Sequence, residues 1–147
     1  MIYRKVDDCA SPKMASAMTA EPQSLYEQIG TTPGVRRLVD RFYTLMDSEP
    51  LYAELRAMHE ADLDPMRASL TAFLTAWLGG PRDWFVMRPG VCVMSPHRAM
   101  GVTRETAVQW VHAMSRAMAE TGVEPGLGQR MQQSFARMAS AMIAQQD

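Results

Sequence analysis

Four segments of this chain repeat apolar residues at the spacing of an α-helix, and this periodicity constrains the fold more than any other feature. Residues three or four positions apart lie on one face of a helix, so each segment predicts an amphipathic helix with one buried face. No segment alternates apolar and polar residues over the length of a strand. We therefore expect an all-α fold with four main helices. The apolar positions are Val35, Leu38, Val39, Phe42, Tyr43 and Met46; Met66, Leu70, Phe73, Leu74, Trp77 and Leu78; Ala107, Trp110, Val111, Met114 and Met118; and Leu127, Met131, Phe135, Met138 and Met142.

Capping and turn residues predict where these helices begin and end. Thr32 and Pro33 are typical of an N-cap followed by a first-turn proline, and Asp64-Pro65 indicates the start of the second main helix. Gly79-Gly80-Pro81 predicts its end, because glycine commonly terminates a helix and proline cannot continue it. Further signals are a short helix over residues 25–29 that ends at Gly30, a weakly helical piece over 51–58, a corner over 59–64, and helix starts at Thr103 and Pro125.

Two stretches show no sustained period. Residues 1–22 mix charged, small and polar residues, which predicts a loose or partly helical N-terminal extension to one domain over residues 23–147. Residues 82–101 are interrupted by Pro89 and Pro96 and form a longer connection than compact domains usually contain. Such a connection tends to be functional or disordered, so functional residues are expected there first.

Composition removes several classes of function. The chain has 147 residues, with 15 Lys and Arg against 16 Asp and Glu, and no basic stripe interleaved with aromatic residues, so nucleic acid is not an expected partner. Its two cysteines, Cys9 and Cys92, are not in a CxxC pair, which favours a reduced, cytoplasmic protein. No run of apolar residues is long enough to predict a membrane span.

Two histidines stand in segments that could carry chemistry. His97 lies in the irregular connection and His59 at the predicted corner, whereas His112 is expected on a solvent-facing side of its helix. The sequence contains no HExxH or paired CxxC motif, no glycine-rich loop before a helix and no serine elbow, which argues against zinc, phosphate and hydrolase sites. The 14 methionines fit either a gap-filled helical core or a lining that adapts to a flat cofactor. Composition and periodicity alone leave a helical domain.

Several motifs in a fixed order make the interpretation more specific. They are SLYEQIG at 24–30, LVDRFY at 38–43, ADL at 61–63, FLTAWLGGP at 73–81, His97, and WVHAM at 110–114. Together they resemble the group II truncated haemoglobins of bacteria, over roughly residues 24–142. The resemblance implies a two-over-two helical sandwich, with residues 23–147 forming a globin domain that holds haem b. It also identifies His97 as the proximal ligand of the haem iron.

The same resemblance implies a set of distal and haem-packing residues. On the distal side, Tyr43, His59 and Trp110 can each donate a hydrogen bond to oxygen or a related diatomic ligand, which carries partial negative charge when bound. The expected haem-packing residues are Phe42, Met66, Leu70, Phe73, Leu74, Trp77, Trp84, Val93, Arg98, Met100, Val102 and Met114.

The segment before His97 departs from the family pattern. The family commonly has basic residues before the proximal histidine, whereas Met94, Ser95 and Pro96 stand just before His97 here, and Pro89-Gly90-Val91 replaces the family's Gly-His-Pro turn. Arg88 and Arg98 are therefore the nearest candidates to meet the haem propionates. Trp84 stands where a tyrosine is usual. These departures motivate an alternative hypothesis, a globin-shaped sensor or interaction module that binds haem weakly or not at all.

The leading hypothesis is a haem protein that binds oxygen and reacts with nitric oxide or peroxide, as a dioxygenase or peroxidase-like enzyme, in preference to bulk oxygen transport. Several donors around the ligand favour slow release, whereas transport needs ready release. The chain contains no nicotinamide-binding motif, so electrons would come from a separate reductase. Both a monomer and a homodimer are compatible with the sequence.

Overall fold

The computed structural model describes residues 24–82 and 101–143, and all regular secondary structure in these two ranges is helical. The helices are α1 (Leu25–Ile29), α2 (Thr31–Ser48), a 3₁₀ turn (Pro50–Tyr52), α3 (Ala53–Ala57), α4 (Asp64–Trp77), α5 (Arg104–Glu120) and α6 (Pro125–Met142). The four main helices are therefore where the apolar periodicity predicted them. The predicted N-terminal extension, residues 1–22, lies outside the described residues.

The four long helices pack in two pairs, α2 with α4 and α5 with α6, and α2 also packs against α5. Their apolar faces meet in one main core, in which Leu38, Phe42, Met114, Met131 and Phe135 are almost fully buried. This arrangement confirms the all-α fold expected from the sequence. None of the described helices is long and apolar enough to cross a membrane.

The start of α2 differs from the sequence prediction. Thr32 was predicted as the N-cap, but the N-cap is Gly30, whose φ of 102° lies in the left-handed region, and the helix begins at Thr31. The reason is a contact with the preceding helix. The backbone N–H of Thr32 donates to the Tyr26 hydroxyl (3.0 Å), and the Thr32 hydroxyl lies 2.6 Å from the same oxygen, so the threonine side chain is already engaged.

The end of α4 shows why two glycines follow one another. Gly79 has a φ of 99°, and the N–H groups of Gly79 and Gly80 donate to the carbonyls of Ala76 (3.1 Å) and Thr75 (2.9 Å), which is a Schellman motif. A Cβ atom added to Gly80 would lie 2.6 Å from the ring of Tyr26. The first glycine thus supplies the left-handed turn, and the second lets α1 approach the end of α4.

Two of the remaining helix starts use side-chain caps. Thr103 and Thr106 form a reciprocal capping box at α5, as Thr103 predicted. At α6 the carboxylate of Glu124 accepts hydrogen bonds from the N–H groups of Gly126 (2.6 Å) and Leu127 (3.1 Å). These bonds, with that from Gly126 the stronger cause, lower the pKa of Glu124.

Candidate ligand-binding site

Tyr43, the first of the predicted distal residues, is a buried tyrosine in the middle of α2. Its side chain is 2% exposed, yet its hydroxyl has no hydrogen-bond partner in the part of the chain that the structure describes. Burial raises the pKa of Tyr43 well above its ordinary value, and the nearby positive charge of Arg67 opposes this effect only in part. The phenol is therefore protonated at neutral pH and is available as a hydrogen-bond donor.

His59 lies in the corner between α3 and α4, and this corner is held in place by Arg56. The guanidinium of Arg56 donates to the carbonyls of Glu60 (3.0 Å) and Ala61 (3.1 Å) and to the carboxylate of Asp47 (2.8 Å). The rings of His59 and Tyr43 are 6.1 Å apart between centroids, in an edge-to-face arrangement. The corner thus places His59 next to Tyr43, and both are predicted distal residues.

The hydrogen bond of His59 fixes which ring nitrogen carries a proton. Nδ1 lies 2.9 Å from the carbonyl oxygen of Leu55, and because a carbonyl can only accept, Nδ1 must be the donor. In the neutral ring Nε2 is then an acceptor. His59 can consequently donate to a ligand through Nε2 only when its ring is the protonated imidazolium. The donor role expected from the sequence is therefore restricted to that charged form.

Trp110, the third predicted distal residue, reaches the site from α5 and is partly buried against the main core. Phe42 lies between it and Tyr43, with ring centroids 5.4 Å from Trp110 and 4.9 Å from Tyr43. On its other side Trp110 contacts Phe135 at 5.3 Å, which in turn stacks on Trp77 at 5.0 Å. The structure therefore joins the three distal residues in one continuous set of ring contacts.

Most of the predicted haem-packing residues in the described ranges belong to this same core. Five of them, Phe42, Phe73, Leu74, Trp77 and Met114, are buried in it, and Met66 and Leu70 are partly buried against it. Val102 lies elsewhere, in a smaller cluster with Ala107 and Ala139. The described residues that were expected to pack against the haem are thus close together, apart from Val102.

The proximal side of the predicted site cannot be placed in the same way. His97, together with Trp84, Arg88, Val93, Arg98 and Met100, lies outside the described residues. The roles of these residues, including iron ligation by His97, remain predictions. Within residues 24–82 and 101–143, no three His, Cys, Asp or Glu side chains are grouped so that they could hold a metal ion.

Arg67 is the residue of this region that the sequence reasoning missed. Its guanidinium carbon lies 5.7 Å from the centroid of the Tyr43 ring, within the range of a cation–π contact. The available signal was that Arg67 is the one basic residue of α4, one position after Met66. Which residue it faces depends on how α2 and α4 pack, and this does not follow from local sequence.

His112 is exposed, as expected, but one of its ring nitrogens has a structural contact. Its Nδ1 lies 2.7 Å from the hydroxyl of Tyr52, which is fully buried. Tyr52 and Tyr43 are therefore two buried tyrosines that differ in hydrogen bonding. The hydroxyl of Tyr52 has a side-chain partner, whereas that of Tyr43 has none among the described residues.

Comparison with known proteins gives a consistent result. Residues 24–144 match the family described as bacterial-like globin. The chain is 32% identical over 99 residues to the group 2 truncated hemoglobin YjbI of Bacillus subtilis, a match that covers 67% of this chain and 72% of that protein.

Solved structures agree in fold. The group II 2-on-2 hemoglobin from the plant pathogen Agrobacterium tumefaciens aligns with a TM-score of 0.82 and 33% identity, over 88% of this chain and 100% of that one. The cold-adapted truncated hemoglobin from the Antarctic bacterium Pseudoalteromonas haloplanktis TAC125 aligns with a TM-score of 0.79 and 29% identity, over 84% and 99% respectively. The motif resemblance and the two-over-two sandwich predicted from the sequence are both confirmed.

Proposed function

This chain belongs to the bacterial-like globin family, and on that premise we propose that it binds haem b through His97 and holds oxygen or a related diatomic ligand beside Tyr43, His59 and Trp110. Membership of the family supports haem-based ligand binding in general. The observation that carries the distal part of the proposal is Tyr43, whose ring is packed against Phe42 and His59 and whose hydroxyl makes no hydrogen bond to another described residue. The hydroxyl is therefore free to donate to a bound acceptor.

The residues of this site fit a haem that carries a small polar ligand. The haem would supply an iron that binds the diatomic molecule and places partial negative charge on it. Met66, Leu70, Phe73 and Trp77 would contribute apolar walls around the group. Tyr43 would donate its O–H to the ligand and Trp110 its indole N–H, each bond contributing about 1.5–3 kcal/mol as a charge-assisted hydrogen bond.

The arrangement favours retention and reaction of the ligand over transport. Fixed donors that bind only the charged ligand slow its release, because the bonds are lost on dissociation. We propose redox chemistry with nitric oxide or peroxide as the use of this site. For nitric oxide the balance is one nitric oxide, one dioxygen and one electron for each nitrate formed, and a separate cytoplasmic reductase would supply the electron.

An absorption spectrum of the freshly purified protein is the primary test. A Soret band in roughly stoichiometric amount supports the proposal. If the band is absent even after haem is added during purification, the proposal fails and the haem-free sensor or interaction module takes its place.

The proximal ligand is tested with His97→Gly. We expect this variant to lose its haem, or to keep it only when imidazole is added, because the iron no longer has a bond to the protein. His112→Gln is the matched control, since His112 contacts Tyr52 and should leave the spectrum unchanged. A His97→Gly protein with the wild-type ferrous spectrum in the absence of imidazole would show that another residue ligates the iron.

A further inference from the structure

A groove with a volume of about 460 Å³ lies between α2 and α4, and the site proposed above does not use it. Its size is in the range of pockets that bind small molecules. We refer to it as the α2–α4 groove. Its lining consists of charged, hydroxyl-bearing and small residues: Thr32, Arg36, Asp40, Asp64, Arg67, Ala68, Thr71, Ala72, Thr75 and Pro81.

The two arginines that line the groove differ in their ion pairs. Arg67 is paired with Asp40, whose carboxylate lies 3.3 Å from a guanidinium nitrogen, and more distantly with Asp64 at 3.9 Å. Arg36, by contrast, has no ion pair or hydrogen bond within the residues that the structure describes. One guanidinium therefore remains available, and guanidinium groups bind carboxylates through two parallel hydrogen bonds.

Thr75 carries an unpartnered hydroxyl at the wall of the groove. The residue lines the groove and is 6% exposed, and its Oγ1 has no hydrogen-bond partner among the described residues. Buried hydroxyls are nearly always hydrogen-bonded, because leaving one unpaired is costly. Ala68 and Ala72 lie on the same helix and also line the groove, so a ligand with an apolar body meets small apolar side chains beside the polar ones.

We propose that the α2–α4 groove is a binding site for a small organic monocarboxylate, held by Arg36 and Thr75, and that Arg67 couples its occupancy to Tyr43. A single negative charge fits better than a phosphate group. The two arginines and two aspartates that line the groove sum to no net charge, so a ligand with one negative charge leaves less uncompensated charge there than a phosphate with nearly two.

The coupling follows from the position of Arg67, which faces both sites. It lines the groove, and its guanidinium also lies over the ring of Tyr43. Its positive charge lowers the pKa of the Tyr43 phenol against the larger effect of burial. A carboxylate in the groove would offset part of this charge, which makes Tyr43 a weaker donor. The occupied groove should therefore speed the release of a ligand that Tyr43 holds.

Binding is tested by calorimetric titration of the purified protein with benzoate, and with benzyl alcohol as the uncharged analogue. We expect saturable binding of benzoate only, weakened about tenfold or more in Arg36→Gln because a charge-assisted bond is lost. Arg37→Gln is the matched control, since it makes the same change one residue along α2 at a position that does not line the groove. Thr75→Val should weaken benzoate binding several-fold. Equal affinity in the two arginine variants, equal binding of benzyl alcohol, or no saturable binding would overturn the proposal.

The coupling is tested by the rate of oxygen release with and without saturating benzoate, and this part rests on the proposed function. We expect benzoate to speed release by about twofold or more in the wild-type protein. It should have no effect in Tyr43→Phe, which keeps every groove residue and should still bind benzoate. An equal effect in both proteins would overturn the role of Arg67 and Tyr43. If the protein lacks haem, the proposed function is refuted, but the calorimetric titration still tests whether the α2–α4 groove binds benzoate.

Discussion

Replacing Tyr43 with phenylalanine should speed ligand release without destabilising the ligand-free protein. The substitution removes a hydroxyl that has no partner among the described residues, while the ring keeps its contacts with Phe42, His59 and Arg67. Because no hydrogen bond within the described residues is lost, we expect the free energy of unfolding of the ligand-free protein to fall by less than about 0.5 kcal/mol. The ligand-bound protein loses a donor, which at about 1.5–3 kcal/mol predicts roughly 10-fold to 150-fold faster oxygen release.

Tyr52→Phe is the matched control for this experiment. Tyr52 is as deeply buried as Tyr43, but its hydroxyl is 2.7 Å from Nδ1 of His112. Removing that hydroxyl breaks an existing hydrogen bond, so the variant should lose about 0.5–1.5 kcal/mol of stability and release oxygen at the wild-type rate. Urea denaturation of the ligand-free ferrous proteins and stopped-flow displacement of oxygen measure the two quantities. If Tyr43→Phe is destabilised like Tyr52→Phe and releases oxygen within about twofold of the wild-type rate, Tyr43 is a packing residue and our interpretation is wrong.

Three further predictions concern other parts of the molecule. Gly80→Ala should lower the free energy of unfolding by about 1–3 kcal/mol, because its Cβ would meet the Tyr26 ring at 2.6 Å. Gly128→Ala lies within α6, and its Cβ would meet only Val123 at an ordinary 3.7 Å, so this variant should raise the free energy of unfolding by up to about 1 kcal/mol. Urea denaturation of both variants checks the contrast. Glu124→Gln should reduce the melting temperature at pH 6, because the lowered pKa of Glu124 means that its carboxylate stabilises the fold at pH values above its ordinary pKa of 4.5. In thermal melts, the difference in melting temperature from the wild-type protein should close as the pH falls below 4.5. Trp110→Phe should speed oxygen release several-fold and carbon monoxide release less, because carbon monoxide is less polarised; rates for both ligands within a factor of about two of wild type would assign Trp110 to packing alone.

The sequence predicted the helices well because their determinants are local. The period of apolar residues depends on one segment at a time, and Thr103 caps α5 through Thr106, only three residues away. The start of α2 was misplaced because the hydroxyl of Thr32 is engaged by Tyr26 of another helix. The choice of Gly30 over Thr32 as the N-cap depends on this contact between helices, so the local sequence pattern does not predict it.

The candidate site was predicted through family resemblance, and the structure adds what the resemblance does not contain. Periodicity alone predicts that Tyr43 and Trp110 are ordinary core residues, since an aromatic residue at helical spacing usually packs in the core without a further role. The position of Arg67 over Tyr43, the protonated Nδ1 of His59 and the separate location of Val102 all depend on how helices pack. Each of these requires coordinates, because the residues involved are distant in sequence or lie on different elements.

The close packing of Gly80 against Tyr26 has a consequence for how this protein can vary in evolution. Together with the capping box at Thr103, it anchors the chain on both sides of residues 83–100. Both anchors are contacts among described residues, so neither depends on which residues stand between them. Substitutions ahead of His97 thus leave both anchors in place. Natural selection can change the surroundings of the proposed iron ligand while the helices stay as they are.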